Sequence, residues 1–528
     1  MENSIRKNKR YWVVAITLLI LFGAALRLYK LGSPTLDTDE ISSVLLARLD
    51  IGKIVYRSWN LEFRPAFSPK VEESPLIYLL IRASLKINDS DAMARLPSAI
   101  LGVACILVIF ILARQWLNET TALWSSFLLT FSLYHIFYSQ LARGYAGFIL
   151  FVMLSFYFLL RYTHHQNRFN LIGLILSNTG GIYFHFAMLY VIIIEAAIFF
   201  IFFYLLVPPV QRPKSLLKPF IIVCFAIFSL CLLTLPAIVS LIKERQFSGE
   251  RIPFEYSPLY IRNLLCRYGA GNGIAFYVYN FFAIAAIIFG LRNKEKRRDI
   301  LAIVFWLCAP FLLIVFSGSA FRYAFHNRYF IYIFPAYILL VAYGISSASK
   351  AVAKWIPGRK TKVYFSTLVA LIFLIIDVVP LKLYYRMPAK MTDWKGIARY
   401  IAKKYSSDKM VYIESPHCVY ELGYYLDKFA PGVKLYTIDG EPEFIKKELM
   451  RIFSEKKNDI WYVDNSPVFD SLVFRYFNRR IVFGSTTFYE LGKRELIDWD
   501  KSWFSQANIR RYFPCIYLNS TEEGKGLL

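Results

Sequence analysis

The chain is a succession of long apolar runs separated by short polar or basic joints. A helix that crosses a hydrocarbon core needs about 20 mostly apolar residues. Runs of about that length fall at 11–29, 94–113, 119–138, 144–161, 170–186, 187–206, 219–238, 271–290, 299–317, 330–348 and 363–383. They predict a polytopic α-helical membrane protein with about eleven transmembrane helices. One further stretch, opening at Ser74-Pro75-Leu76-Ile77-Tyr78, is apolar for only about 14 residues, short for a span, and is interrupted by Arg82 and Lys86. It predicts a helix lying along the outer interface.

Lys and Arg gather in alternate joints. They lie at the N-terminus (Arg6, Lys7, Lys9, Arg10), near 161–168, around 212–218, at 292–298 and at 350–362. Cytoplasmic joints carry such an excess. The N-terminus is therefore expected inside, with two long loops, 30–93 and 239–270, on the outer face. Counting the 75–88 helix as a span would reverse every later joint and turn the basic ones outward. The first run has no small-residue cleavage pattern after it and reads as a retained anchor. Residues 1–389 are the expected transmembrane domain.

From about 390 the pattern changes. Helical periodicity at 393–405, 418–428, 443–455 and 470–479 alternates with strand-like runs at 410–413, 433–436, 460–463 and 481–483. Alternating strands and helices predict a small parallel α/β domain over 390–528, delivered to the outer side by the last span. It carries no glycine-rich phosphate loop, so a structural or acceptor-facing role is expected.

Composition supports the membrane reading. The chain is 57% hydrophobic and 19% charged, against roughly 25% charged residues in soluble domains. The net charge of +25 sits in joints where it meets anionic membrane lipid, which argues against a nucleic-acid partner. The seven cysteines show no metal-ligand spacing. Cys105, Cys224, Cys231 and Cys308 lie in apolar runs, while Cys418 and Cys515 fall in the tail, where spacing leaves their pairing open.

Candidate chemistry centres on Ser33-Pro34-Thr35-Leu36-Asp37-Thr38-Asp39-Glu40-Ile41-Ser42, just past the first span. Carboxylates at the edge of a span are not needed to hold a helix in lipid. One reading is an N-cap, Asp37 or Asp39 opening a helix at Ile41. The other is a base whose pKa is tuned by partial desolvation. The two can coexist. The outer face also collects Glu72, Glu73, Arg143, His185, Arg322, His326 and Arg328. Each has a bland alternative: an arginine snorkelling at a helix end, a hydrogen-bonded packing histidine. Together they place acids suited to activating a hydroxyl beside bases suited to holding a phosphate. Glu195 and Asp377 lie within spans and are expected to pair inside the bundle.

The order of these features resembles the polyprenyl-phosphate-sugar-dependent glycosyltransferases of the GT-C fold. The nearer branch contains protein O-mannosyltransferases, lipid A aminoarabinose transferases and Rgt-type envelope transferases. The residues that carry the likeness are Arg27-Leu28-Tyr29-Lys30-Leu31-Gly32 followed by Asp39-Glu40, then Ser74-Pro75-Leu76-Ile77-Tyr78 and Ala94-Arg95-Leu96-Pro97-Ser98-Ala99. His135 to Ala146, Tyr183-Phe184-His185-Phe186, Arg328-Tyr329 before Pro335, and Asp393-Trp394-Lys395 follow in order. The resemblance implies an inverting glycosyltransferase in a bacterial cytoplasmic membrane that moves one sugar from a polyprenyl-phosphate donor to an envelope glycan, lipid or protein. It implies Asp39 as catalytic base with Glu40 as its partner. Arg143, Arg328 and Arg27 would hold the donor phosphate, and Asp37, Tyr78, Tyr145, His185, Arg322 and His326 would line the pocket. No cofactor besides the donor and no metal is implied. Two positions depart from the pattern: Leu141 stands where many relatives have an acid, and Ser74 where aminoarabinose transferases have Lys. The rival readings are a polytopic lipid or glycan transporter or flippase, a non-catalytic assembly protein, and a polymerase or ligase of undecaprenyl-linked glycans. Transporters place polar groups and broken helices near the midplane of two related halves, whereas these polar groups share one face.

Overall fold

A computed structural model describes residues 2–60, 75–206, 258–317 except 270 and 272, 327–356, 358, 360–386 and 393–404, and in the tail 410–413, 416–433, 435–437, 451, 460–464, 479–483 and 486–490. The helices are α1 (Glu2–Leu28), α2 (Thr38–Ala47), α3 (Ile51–Asn60), α4 (Pro75–Leu85), α5 (Asp91–Trp116), α6 (Glu119–Phe131), α7 (Leu133–Ser139) and α8 (Tyr145–His164). They continue with α9 (Arg168–Phe184), α10 (Met188–Ile198) and its π-helical extension Phe199–Leu205, α11 (Pro258–Tyr268), α12 (Gly273–Arg292) and α13 (Arg297–Ser317). A 3-10 turn (Asn327–Ile333) leads into α14 (Phe334–Trp355), followed by α15 (Thr361–Arg386), α16 (Trp394–Lys404) and α17 (Pro416–Phe429).

Among the described residues, 7 helical segments are long and apolar enough to cross a membrane. Of the other predicted spans, 119–138 is split into α6 and α7, 170–186 is α9, 299–317 is α13, and 219–238 lies outside the described residues. The stretch read as an interfacial helix is α4, 11 residues long. At 1.5 Å per residue it reaches only about 16 Å, half the hydrocarbon thickness. The bundle wears its apolar side chains outward: Leu18, Leu21 and Phe22 on α1, Tyr277 and Phe281 on α12, and Tyr364 and Ile375 on α15 are all exposed. In water this would be a liability; against lipid it is the expected surface.

The centre is α14. Its apolar window is 94% buried, against 17% for α1, so α14 is the axis and α1 faces lipid. Gly344 allows α14 to meet α12 at backbone distance, since a Cβ there would fall 1.9 Å from the Phe282 carbonyl oxygen. Two irregularities are repaired by side chains. Pro97 inside α5 has no N–H for the Met93 carbonyl, and the Ser84 hydroxyl donates to that oxygen instead at 2.7 Å. The break at Ser132 leaves the Leu129 and Thr130 carbonyls without helical donors. Arg27 donates to both, at 2.9 and 3.3 Å, where an orphan carbonyl in an apolar core would be costly. The two mid-span acids are hydrogen-bonded inside the bundle. Asn178 donates to Glu195 at 3.1 Å and the Tyr279 hydroxyl to Asp377 at 3.0 Å.

The tail forms a five-stranded sheet of β1 (Met410–Ile413), β2 (Leu435–Thr437), β3 (Ile460–Asp464), β4 (Arg479–Phe483) and β5 (Thr486–Glu490), in the order β2-β1-β3-β5-β4. It differs from the all-parallel expectation. β2, β1 and β3 are parallel, with Val411 between Leu435 and Trp461, but β5 runs antiparallel to both β3 and β4. The link between β4 and β5 is too short for a parallel crossover and suits a hairpin. The sequence pattern caught β4 and missed its partner. The helices expected at 443–455 and 470–479 and the Cys418–Cys515 pair lie outside the residues described in side-chain detail.

Candidate active site

The site is built on the segment between α1 and α2. Past α1 the chain turns through Lys30, whose φ of 53° is left-handed, and its ammonium donates to the Tyr385 carbonyl at 3.0 Å. The residues that follow are irregular, and their carbonyls converge on Arg95 of α5. Arg95 donates to Leu31 at 3.0 Å, Pro34 at 2.8 Å and Thr35 at 2.9 Å. The same guanidinium grips Glu40 with two bonds of 2.7 and 2.6 Å, both partners fully buried. Glu40 also accepts the Ala142 N–H at 2.8 Å and the Asp37 N–H at 3.2 Å. Asp37 returns the contact by accepting the Glu40 N–H at 2.8 Å, completing a capping box at the start of α2. Glu40 thus ties α2 to α5 and to the turn between α7 and α8.

Asp39 points elsewhere. It is half-exposed, and its Oδ2 accepts Arg328 Nη1 at 2.8 Å. Arg328 lies in the 3-10 turn that opens α14. Burial pushes the Asp39 carboxyl up, but the Arg143 and Arg328 guanidiniums outweigh it and hold the group below the usual carboxylate range. Arg143 is buried just before α8, where its carbonyl accepts the Ser98 hydroxyl at 2.9 Å. A third cation, Arg267 at the end of α11, shares with Arg328 electrostatic reach of the Tyr138 phenol. The Arg267 Nε is buried with no hydrogen-bond partner among the described residues. An ionised carboxylate beside convergent guanidiniums suits proton acceptance next to a bound phosphate. Among the described residues no group of three or more His, Cys, Asp or Glu could hold a metal ion.

The tail closes over the same segment. Thr35 donates to Asp393 at 2.8 Å, and the Leu36 N–H donates to the Tyr425 hydroxyl at 2.8 Å. Lys395 donates to the Gly32 carbonyl and to Asp91, both at 2.9 Å. Tyr425 donates to Asp91 at 3.0 Å. Thr38, next to Asp39, donates to Glu421 of α17.

The remaining expected site residues among those described make contacts within the bundle. Arg27 is buried between α1 and the α6–α7 break, and also bonds His135 Nδ1 at 2.8 Å, so its donors go to the bundle. His185 Nδ1 accepts the Ala187 N–H at 3.1 Å, and its ring stacks on Phe148 at 5.0 Å. Tyr145 packs edge-on against Tyr138 at 5.0 Å, and Tyr78 is fully buried on α4. Arg322 and His326 lie outside the described residues.

The fold has solved counterparts. ArnT from Cupriavidus metallidurans in the apo state superposes with a TM-score of 0.54 at 14% identity, covering 93% of this chain and 100% of that one. The same protein bound to undecaprenyl phosphate gives 0.53 at 12% identity, covering 92% and 99%. The fold is GT-C. The archaeal oligosaccharyltransferase AglB from Archaeoglobus fulgidus, in complex with an inhibitory peptide and a dolichol-phosphate, gives 0.55 at 15% identity, covering 87% of this chain and 70% of that one. Residues 72–238 match the dolichyl-phosphate-mannose-protein mannosyltransferase family model. No curated protein matches the chain by sequence. On this GT-C frame, sequence reading missed three site residues. Arg95 lies in a quoted motif, and a cation entering an apolar run was its signal. Arg267 lay in an outer loop without a marker. Glu421 sits on an amphipathic tail helix whose docking only the fold reveals.

Proposed function

We propose that the chain transfers one sugar, with inversion, from a polyprenyl-phosphate donor to an envelope acceptor at the outer face of a bacterial cytoplasmic membrane. The N-terminus is cytoplasmic and the tail beyond 390 is extracytoplasmic. The observation that carries this reading is Asp39 held ionised between Arg328 and Arg143.

Asp39 takes the proton of the acceptor hydroxyl as that oxygen bonds the anomeric carbon. The carbon–oxygen bond to the phosphate breaks on the opposite side, and polyprenyl phosphate leaves with the bonding pair. Arg143, Arg328 and Arg267 receive its growing charge. In the resting site the arginines make Asp39 a weak base. A donor phosphate that draws Arg328 onto itself releases the carboxylate and raises its basicity, so the base is strongest when the leaving group is seated. Base and electrostatic effects of this kind are each worth roughly 10²- to 10³-fold. Glu40, bound on both oxygens by Arg95 and backbone N–H groups, positions α2 instead of meeting substrate. Arg27 supports the bundle instead of the phosphate.

The test is deletion of the gene and mass spectrometry of envelope glycans. Loss of one sugar's mass, restored by the wild-type gene, supports the transferase. Loss of a multi-sugar repeat points to a polymerase or ligase, and an unchanged set of envelope glycans removes the proposal.

A further inference from the structure

The tail brings a second carboxylate to the start of α2, beside Asp39. Glu421, on α17, is 6% exposed and lies over the first turn of α2. Its Oε1 accepts the hydroxyl of Thr38, the neighbour of Asp39. Its Oε2 is buried with no hydrogen-bond partner among the described residues. Leaving a buried acceptor unmet is costly, so a group without a partner among the described residues invites a ligand. Burial pushes the Glu421 carboxyl up, Thr38 opposes this, and the Asp39 charge adds to the rise. Both carboxylates therefore share one electrostatic environment.

We propose that Glu421 is a substrate-contacting residue that binds a hydrogen-bond-donating group, hydroxyl or ammonium, of the sugar acceptor beside Asp39. This role of Glu421 rests on the transferase reading above. A carboxylate repels the donor phosphate, whose place is among the arginines, and attracts a donor group on the molecule that brings the attacking hydroxyl. The site is thereby divided between two parts of the chain: the bundle holds the leaving group, and α17 of the tail holds the acceptor. No bond is made or broken at Glu421; it orients the nucleophile for Asp39.

A docking carboxylate and an acceptor-binding one differ in their response to Glu421→Gln, which keeps an oxygen for Thr38 but loses the charge. Glu421→Gln, Thr38→Val and Asp39→Asn are expressed at matched levels in the deletion strain, and the transferred sugar is quantified by mass spectrometry over time. Undecaprenyl phosphate binding to each purified full-length variant is measured in parallel. Glu421→Gln is expected to lower the initial rate of sugar addition at least tenfold, leaving undecaprenyl phosphate affinity within twofold of wild type. Thr38→Val, which breaks only the docking bond, is expected to keep more than half the rate. Wild-type addition by Glu421→Gln together with an inactive Asp39→Asn overturns the role of Glu421 alone. Loss of rate in Thr38→Val equal to that in Glu421→Gln assigns Glu421 to docking and overturns it too. Undecaprenyl phosphate binding weakened more than threefold by Glu421→Gln overturns its acceptor side. A deletion strain with unaltered glycans overturns the transferase reading and this inference with it.

Discussion

Replacing Glu40 by Gln separates a positioning role from a chemical one. The carboxylate accepts two bonds from Arg95 and two backbone N–H groups, and both it and Arg95 are fully buried. An amide nitrogen in place of either oxygen sets a donor against donors already aimed at it and leaves the Arg95 charge without its counter-ion. Breaking a buried pair in this way costs about 3–5 kcal/mol. At about 1.4 kcal/mol per tenfold, local opening of 31–47 becomes roughly 10²- to 4 × 10³-fold easier. Hydrogen–deuterium exchange on the detergent-solubilised protein reads this directly, as lost protection in peptides covering 31–47 with little change in α8 or α14. Activity falls because Asp39 loses its fixed mount. Full protection of 31–47 in an inactive Glu40→Gln protein would refute the reasoning, since Glu40 would then be acting on substrate.

Arg328→Ala removes one guanidinium from Asp39 and one from the proposed phosphate site. Undecaprenyl phosphate affinity is expected to drop about 10- to 100-fold, the worth of one hydrogen bond to a charged group; unchanged binding assigns the phosphate elsewhere. The Asp39 carboxyl is held below its ordinary value, so the stabilisation from its ion pairs is whole above the unfolded pKa of about 3.9 and is lost as pH falls through the lower folded value. The pH profile of kcat/KM, which reports the free enzyme, should therefore show no acid limb from Asp39 between about pH 5 and 7, and Arg328→Ala should move that limb upward; an unmoved limb detaches Arg328 from Asp39. Lys395→Met removes bonds to Gly32 and Asp91, and limited proteolysis should cut between 387 and 416 sooner while the bundle stays intact. Gly344→Val forces a side chain against the Phe282 carbonyl and is expected to lower the melting temperature in detergent; an unchanged melt places the α12–α14 contact elsewhere.

Much of the frame was legible because lipid imposes length and apolarity on every span. The same rule hid the break at Ser132, since a broken helix and a whole one present the same run of apolar residues when Arg27 repairs the freed carbonyls. Asp39 could be singled out because an acid at the edge of a span has no packing reason to be there. Its neighbour Glu40 looked equally chemical, and only the position of Arg95 on a separate helix shows that one acid is buried in the core while the next stays partly exposed. Arg27, expected at the phosphate, bonds bundle carbonyls: a cation at a span's end looks alike whether it serves a phosphate or a carbonyl. The tail was expected to be structural or acceptor-facing, but its particular residue was not legible, because the bond between Thr38 and Glu421 spans hundreds of residues and neither residue is unusual where it stands. The sheet was half legible, with its parallel strands recovered and the β4–β5 hairpin lost.

Asp39→Asn in the deletion strain, at expression matched to wild type, tests the central claim most directly. The amide keeps the size of the side chain and an oxygen for Arg328 but accepts no proton at neutral pH. The account expects envelope glycans from that strain to lack the same sugar mass as the deletion, with the variant protein present in the membrane at wild-type level. Glycans restored to wild type by Asp39→Asn would contradict it, and the base would have to be sought away from the first outer loop.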